Sequence, residues 1–370
     1  MILLEHGPGG PVQFEHASEL IVARRPEELR PALAALDAAR ARGKWVAGWI
    51  AYEAGFALEP KLARLAVDGP LLAFGVYDAP RPAVSPSSGR VRITAPRPLV
   101  SWPDYAAAMA KVKAYIASGD CYQINLTFPM ESRLLEGTAL ELYAALRSQA
   151  VGYGAYCALP GVPVLVSRSP ELFLKTDAGG RIESRPMKGT APRDPDPMRD
   201  MELAEELRSS EKGRAENLMI VDLLRNDISR IARVGSVRVP QLFAVEAYAT
   251  VHQMISRVVG DLVEPPSMSR LMEALFPCGS ITGAPKIRAM EIIAEVEPHG
   301  RGPYCGAIGW MGPDGASCFN VAIRTLQLTG DQIRLNVGGG VVQDSTAEGE
   351  WEEAHWKARY LNGLVTPGCG

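Results

Sequence analysis

The chain is short of several things, and each shortage excludes a class of protein. Six cysteines (Cys121, Cys157, Cys278, Cys305, Cys318 and Cys369) are scattered without a C-x-x-C pair, so neither a thiolate zinc site nor a disulfide framework is expected. Only five histidines occur, none three or four residues from another, which argues against a histidine-held metal. Any metal must then rest on carboxylates. The formal charge of −3 supplies no basic field to displace counterions from a phosphate backbone, so nucleic acid is excluded as a partner. No run of 18 apolar residues appears and the N-terminus has no cationic lead, so no membrane segment is expected and a cytoplasmic location is. The G-x-G-x-x-G signature of a dinucleotide site is missing between strand and helix.

What is present is an ordinary globular mixture, 47% apolar and 22% charged over 370 residues, enough for one large domain or two ordinary ones. Pro80, Pro82, Pro86, Pro96 and Pro98, with Ser85, Ser87, Ser88 and Gly89 among them, break the pattern and place a soft boundary near residue 84. Residues 1–84 hold too little to build a core alone and are expected to pack on the main domain, residues 85–370.

Ser101 is expected to cap a helix on which Tyr105, Met109, Val112 and Ile116 share a face, with Gly119 as its stop. Further helices are predicted at 26–41, 140–148, 198–209, 214–232, 269–275, 285–296 and 347–361. Strands are predicted at 45–52, 122–128, 163–167, 172–175, 237–243, 250–258, 305–311, 319–328 and 332–337, the last two joined as a hairpin at Thr329-Gly330-Asp331. Strands in runs between helices, rather than strict alternation, favour an α+β plan.

Four constellations carry polar chemistry. Ser345 and Glu348 read as a capping box for the last helix, which puts Glu350 and Glu353 on one face and Trp351, Ala354, Ala358 and Leu361 on another. The same pattern suits a solvated acidic turn at the positive end of a helix. Glu216 lies in an amphipathic helix; oxygen ligands from two helices would suit Mg²⁺, which leaves positions for water and an anionic substrate. Two glycine turns, Gly279-Ser280-Ile281-Thr282-Gly283-Ala284-Pro285-Lys286 and Gly338-Gly339-Gly340, offer backbone N–H groups to an anion or serve structure alone. Alternation along 319–328 puts Arg324 on the face of Ala322 and Leu326, where it needs an anionic partner. Lys188 follows Pro186 and precedes Gly189-Thr190, which reads as a constrained turn; it is either a surface lysine or, if desolvated, a nucleophile.

Together these segments resemble the chorismate-utilising enzymes, the family of anthranilate, aminodeoxychorismate, isochorismate and salicylate synthases. The resemblance runs from about residue 100 to 362. It is carried, in the family's order, by Asp120-Cys121-Tyr122-Gln123-Ile124-Asn125-Leu126-Thr127, Ser169-Pro170-Glu171-Leu172-Phe173, the Lys188 segment, the Glu216 helix, the 279–286 turn, Tyr304-Cys305-Gly306, Ile323-Arg324-Thr325 and the 338–345 segment. Three positions separate its branches. Gln123 stands where water-activating members have a lysine base, Lys188 where anthranilate synthases usually have alanine, and Asn217 where those have histidine. Gln123 disfavours water activation, and Lys188 and Asn217 are both similar to the branch that aminates chorismate at C4.

The resemblance implies a four-layer α/β/β/α sandwich with a site in the cleft between its sheets. It implies Mg²⁺ on Glu216 and Glu353 with Glu350 close by. Tyr304, Arg324 and the N–H groups of Gly339 and Gly340 would hold a carboxylate, with Gln123, Thr282 and Gly283 also among the substrate-binding groups. Glu171 would be the general acid and Lys188 the nucleophile at C2, with ammonia then entering at C4 to give 4-amino-4-deoxychorismate, a precursor of p-aminobenzoate and folate. No G-x-C-x-G amidotransferase nucleophile occurs, so ammonia is expected from a separate glutamine amidotransferase subunit. With the last helix so near Gly370, no fused lyase domain is expected. Rival expectations are an anthranilate or aminodeoxyisochorismate synthase on the same scaffold, and a chorismate-binding regulatory protein without catalysis.

Overall fold

A computed structural model describes residues 1–87, 89–149, 151–248 and 251–366. Ser88, Thr250 and Cys369 lie outside the described residues. Two large antiparallel sheets make up the centre. The eleven-stranded sheet runs, in spatial order, through Gly283–Ala284, Gln123–Glu136, Gln332–Val341, Thr325–Thr329, Val164–Ser169, Tyr153–Cys157, Ile2–Gly7, Gly10–Phe14 and Arg81–Pro82, with two short strands pairing on Gln123–Glu136. The ten-stranded sheet runs through Met187–Pro192, Val251–Asp261, Arg181–Arg185, Leu172–Thr176, Ser317–Val321, Ala307–Met311, Trp45–Ile50, Leu72–Tyr77 and Glu19–Ala23, with Arg238–Ala247 pairing on Val251–Asp261.

The sheets face each other across an apolar layer. Ile2, Leu4, Phe14, Ala155 and Leu165 from one meet Ala47, Trp49, Leu172, Ile308 and Trp310 from the other. The outer faces carry the helices. Pro26–Ala41 and Glu211–Ser229 cover the ten-stranded sheet, and Trp102–Ala117, Ala139–Leu146 and Ala347–Ala358 cover the eleven-stranded one. This is the α/β/β/α order, the arrangement that lets two sheets bury both faces.

Local chemistry accounts for the predicted elements that hold. The Asp104 N–H donates to Ser101 Oγ at 3.3 Å, Gly119 takes φ +82°, and Tyr105, Met109 and Val112 are buried, so the helix starts, stops and faces as its pattern dictates. The hairpin at Gly330 forms in register Leu328↔Ile333.

Two expectations change. Residues 1–84 join both sheets through backbone ladders, Ile2–Gly7 beside Tyr153–Cys157 and Trp45–Ile50 beside Ala307–Met311, so they extend the sheets rather than only resting on them. The single strand expected at 319–328 is two strands in different sheets. Ser317–Val321 ends in the ten-stranded sheet, and the chain crosses at residues 322–324, where Arg324 takes φ +49°, before Thr325–Thr329 enters the other sheet. A positive φ in a non-glycine residue ends strand alternation, so the side-chain direction of Arg324 is set by this crossing and not by a period of two.

Candidate active site

The crossing opens one wall of a cavity of about 1090 Å³ between the sheets. Glu171, Lys188, Glu216, Tyr304, Arg324, Gly339, Gly340, Glu350 and Glu353 all line it. Gln123, Thr282 and Gly283 do not. Gln123 is fully buried just beneath the wall, with neither amide atom hydrogen-bonded. Thr282 turns its hydroxyl inward to donate to the carbonyls of Cys278 and Gly279. Gly283 pairs with Ile124, and a Cβ there would lie 2.2 Å from the Gln123 carbonyl oxygen, so its bareness serves strand contact.

Lys188 sits on a strand, not on a turn. Met187–Pro192 pairs with Val251–Asp261, and the register slips between Met187 and Thr190 where Gly189 takes φ +84°. That bulge rotates the strand and turns Lys188 toward the cavity. Burial lowers the pKa of its ammonium; Glu216 raises it, Lys357 lowers it further, and Glu171 and Glu353 raise it. Position 340 explains a glycine, since a Cβ there would lie 2.9 Å from Lys188 Nζ and 3.0 Å from Gln123 Nε2.

Glu171 opens the Leu172–Thr176 strand and is 6% exposed. Burial pushes its carboxyl up to about 7, while the neighbouring Ser280 hydroxyl and the charges of Lys188 and Arg324 pull it down. A carboxyl in that range holds a proton at neutral pH and can give it up, as a general acid requires. Arg324 reaches the cavity with no carboxylate ion pair among the described residues; burial lowers its pKa against the pull of Tyr360 and Glu171. A guanidinium left open there suits an anionic ligand.

The last helix starts at Ala347 as its pattern indicates and ends at Ala358, but its cap stands one residue later than expected. Thr346 is the cap, accepting from the Gly349 N–H at 3.2 Å, while Ser345 Oγ donates to Glu350 Oε1 at 2.7 Å. Glu350 and Glu353 still share a face. A Cβ at Gly339 would lie 2.7 Å from Glu350 Oε2, 3.4 Å from Glu353 Oε1 and 3.4 Å from Lys357 Nζ, so three charged heads converge over that glycine. Burial raises the Glu350 pKa; Ser345 opposes this and Glu353 adds to it.

The donor set is oxygen-only, with Glu216 from one helix and Glu350 and Glu353 from another, which fits a hard cation such as Mg²⁺. Among the described residues no three metal-ligating side chains form a closed cage.

Lys357, Ser280 and Tyr360 also line the cavity without having been singled out by pattern. Lys357 donates to Glu353 Oε1 and to the Gly338 carbonyl, both at 2.7 Å. Its place four residues after Glu353 was the available signal. Asn217 faces away, accepting from Ser256 Oγ at 2.5 Å, and so anchors the helix of Glu216 to the sheet behind it.

Residues 79–363 match the profile of the chorismate binding enzyme family. Aminodeoxychorismate synthase component 1 of Salmonella typhimurium is 43% identical over 259 residues, 70% of this chain and 56% of that protein. Anthranilate synthase component 1 of Streptomyces coelicolor is 41% identical over 258 residues, 70% of this chain and 50% of that protein. The chain thus spans about half the length of the curated relatives it matches. The crystal structure of anthranilate synthase component I from Streptococcus pneumoniae shares the fold, with a TM-score of 0.80 at 23% identity, covering 94% of this chain and 91% of that one.

Proposed function

The chain belongs to the chorismate binding enzymes, and from that premise we propose that it aminates chorismate at C4 to give 4-amino-4-deoxychorismate. The observation that carries this reading is Lys188, desolvated at a strand bulge and beside Gln123 rather than a second lysine. An amine with a lowered pKa is readied for attack as a nucleophile, whereas Gln123 offers no base to activate water.

On this reading Arg324, Tyr304 and the N–H groups of Gly339 and Gly340 hold substrate carboxylate. Glu216 and Glu353, with Glu350 beside them, would hold Mg²⁺. The cation, when bound, supplies positive charge to a ring carboxylate. Lys188, in its neutral form, bonds from Nζ to C2 as both ring double bonds shift along the ring and the C4–O bond breaks. Glu171 gives its proton to the departing hydroxyl, which leaves as water. Ammonia then bonds to C4 as the C2–N bond breaks and the amine of Lys188 is restored, and the extra proton on the new amine returns to Glu171. Two displacements place nitrogen at C4; direct attack at C2 leads to the anthranilate branch.

The similar aminodeoxychorismate synthase is named component 1, which supports a second subunit that releases ammonia from glutamine. The test is incubation with chorismate, Mg²⁺ and an ammonium salt, with the product identified by mass and chromatography. Aminodeoxychorismate is expected. Anthranilate or isochorismate would overturn the reading, and binding without turnover would favour a regulatory protein.

A further inference from the structure

The bulge that turns Lys188 into the cavity lies on an edge strand. Among the described residues, Met187–Pro192 pairs on one side only, with Val251–Asp261. Between the pairs Met187↔Ile255 and Thr190↔Gln253, two residues, Lys188 and Gly189, stand opposite one, Met254. A bulge leaves part of the ladder unmade, and a strand that slips by one residue turns every side chain to the other face. Such a slip would carry Lys188 out of the cavity.

One side chain spans the gap. Gln253 reaches across from the neighbouring strand, donating from Nε2 to the Gly189 carbonyl at 2.8 Å and accepting at Oε1 from Thr190 Oγ1 at 3.1 Å. A carbonyl can only accept, so this pair of bonds fixes which way the amide points. Gly189 and Thr190 are the two residues that follow Lys188. Gln253 is itself firmly placed. Its strand is flanked on the far side by Arg238–Ala247, with Glu246↔Gln253 in register, and the adjacent His252 bonds Asp200 Oδ1 through Nε2 at 2.8 Å. Space at the bulge is closed as well, since a Cβ on Gly189 would lie 3.0 Å from Leu207 Cδ1. Gln253, Thr190, Gly189 and Leu207 all line the cavity with Lys188.

We infer that Gln253 is a positioning residue that locks the register of the bulge and so keeps Lys188 aimed at the substrate ring. The inference rests on the proposed role of Lys188 as nucleophile. Leucine is close to glutamine in size but makes neither bond. Glutamate keeps the acceptor for Thr190 and sets a carboxylate, which cannot donate when ionised, against the Gly189 carbonyl. Thr190→Val removes one bond alone.

The test compares wild type with Gln253→Leu, Gln253→Glu and Thr190→Val, assayed with chorismate, Mg²⁺ and an ammonium salt, separating C4-aminated from C2-aminated product by chromatography. Lys188→Ala is the reference for a site without its nucleophile. Ser184→Ala is the control, because the Ser184 hydroxyl also ties strands of this sheet, donating to the Phe173 carbonyl at 2.7 Å, and does not line the cavity. In Gln253→Leu, kcat for the C4 product is expected to fall about tenfold or more while KM for chorismate stays within about threefold. Its product is expected to shift toward C2 as in Lys188→Ala, although the lysine is still there. Thr190→Val shifts the product the same way by less, and Ser184→Ala leaves it as in wild type. If Gln253→Leu does not fold, Gln253→Glu and Thr190→Val decide. A folded Gln253→Leu, or Gln253→Glu in its place, with the wild-type product ratio overturns the inference whatever its rate. A Lys188→Ala enzyme with wild-type rate and product overturns the nucleophile itself, a distinct result.

Discussion

Replacing Glu171 by glutamine removes one proton from a site where burial has made that proton hard to lose. The rise from 4.5 to about 7 corresponds to roughly 3 kcal/mol in favour of the neutral form. At pH 7 about half of the sites then carry the proton, against ~0.3% for an ordinary glutamate. If that proton goes to the leaving hydroxyl, kcat/KM at fixed free ammonia is flat just below pH 7 and falls about tenfold per pH unit well above it. The variant keeps the shape of the side chain but loses the proton, so its rate drops by about 10²–10⁴ and its alkaline limb disappears. The same shift governs stability. A carboxyl with a raised pKa binds its proton more tightly in the folded than in the unfolded chain between pH 4.5 and about 7, so stability falls as pH rises through that window. Chemical denaturation at pH 5 and pH 8 is expected to show this loss in wild type and not in Glu171→Gln. A wild-type limb near pH 4.5, or a variant that keeps the limb, refutes the reasoning.

Lys188→Ala removes the proposed nucleophile; aminodeoxychorismate formation is expected to collapse and residual product to shift toward amination at C2, read by chromatography, and an unchanged rate and product would end the covalent role. Gly340→Ala places a methyl 2.9 Å from Lys188 Nζ and 3.0 Å from Nε2 of the buried Gln123, so the unfolding free energy should fall by about 1–3 kcal/mol while kcat falls about tenfold or more. Glu353→Gln takes one charge from the carboxylate pair over Gly339, and Mn²⁺ binding followed by electron paramagnetic resonance is expected to weaken at least tenfold, about 1.4 kcal/mol; equal affinity would remove Glu353 from the metal set.

The helices were readable because their caps and apolar stripes are local. Ser101 to Gly119 shows this, and so does Pro26–Ala41, whose ends match its pattern. The cap of the last helix was misplaced by one residue because Ser345 and Thr346 are both good caps, and only the folded chain reveals that Ser345 spends its hydroxyl on Glu350. Lys188 and Arg324 were visible as residues, but their settings were not. A bulge depends on the register of a partner strand, and a crossing between sheets depends on which sheet each half joins; neither leaves a period in the sequence. Gln123 was visible by resemblance, while its orphaned amide is a consequence of the wall that buries it.

The ladders that join the first strands to the sheets also set an order of events for a chain emerging from the ribosome. Ile2–Gly7 waits for Tyr153–Cys157, and Trp45–Ile50 waits for Ala307–Met311, near the opposite end. Until then the edges of Ile2–Gly7 and Trp45–Ile50 that take these ladders have no partner strand. Contacts of such long sequence separation form late and slowly. Newly made copies thus carry uncovered strand edges until the later strands appear, a period in which chaperone capture competes with aggregation.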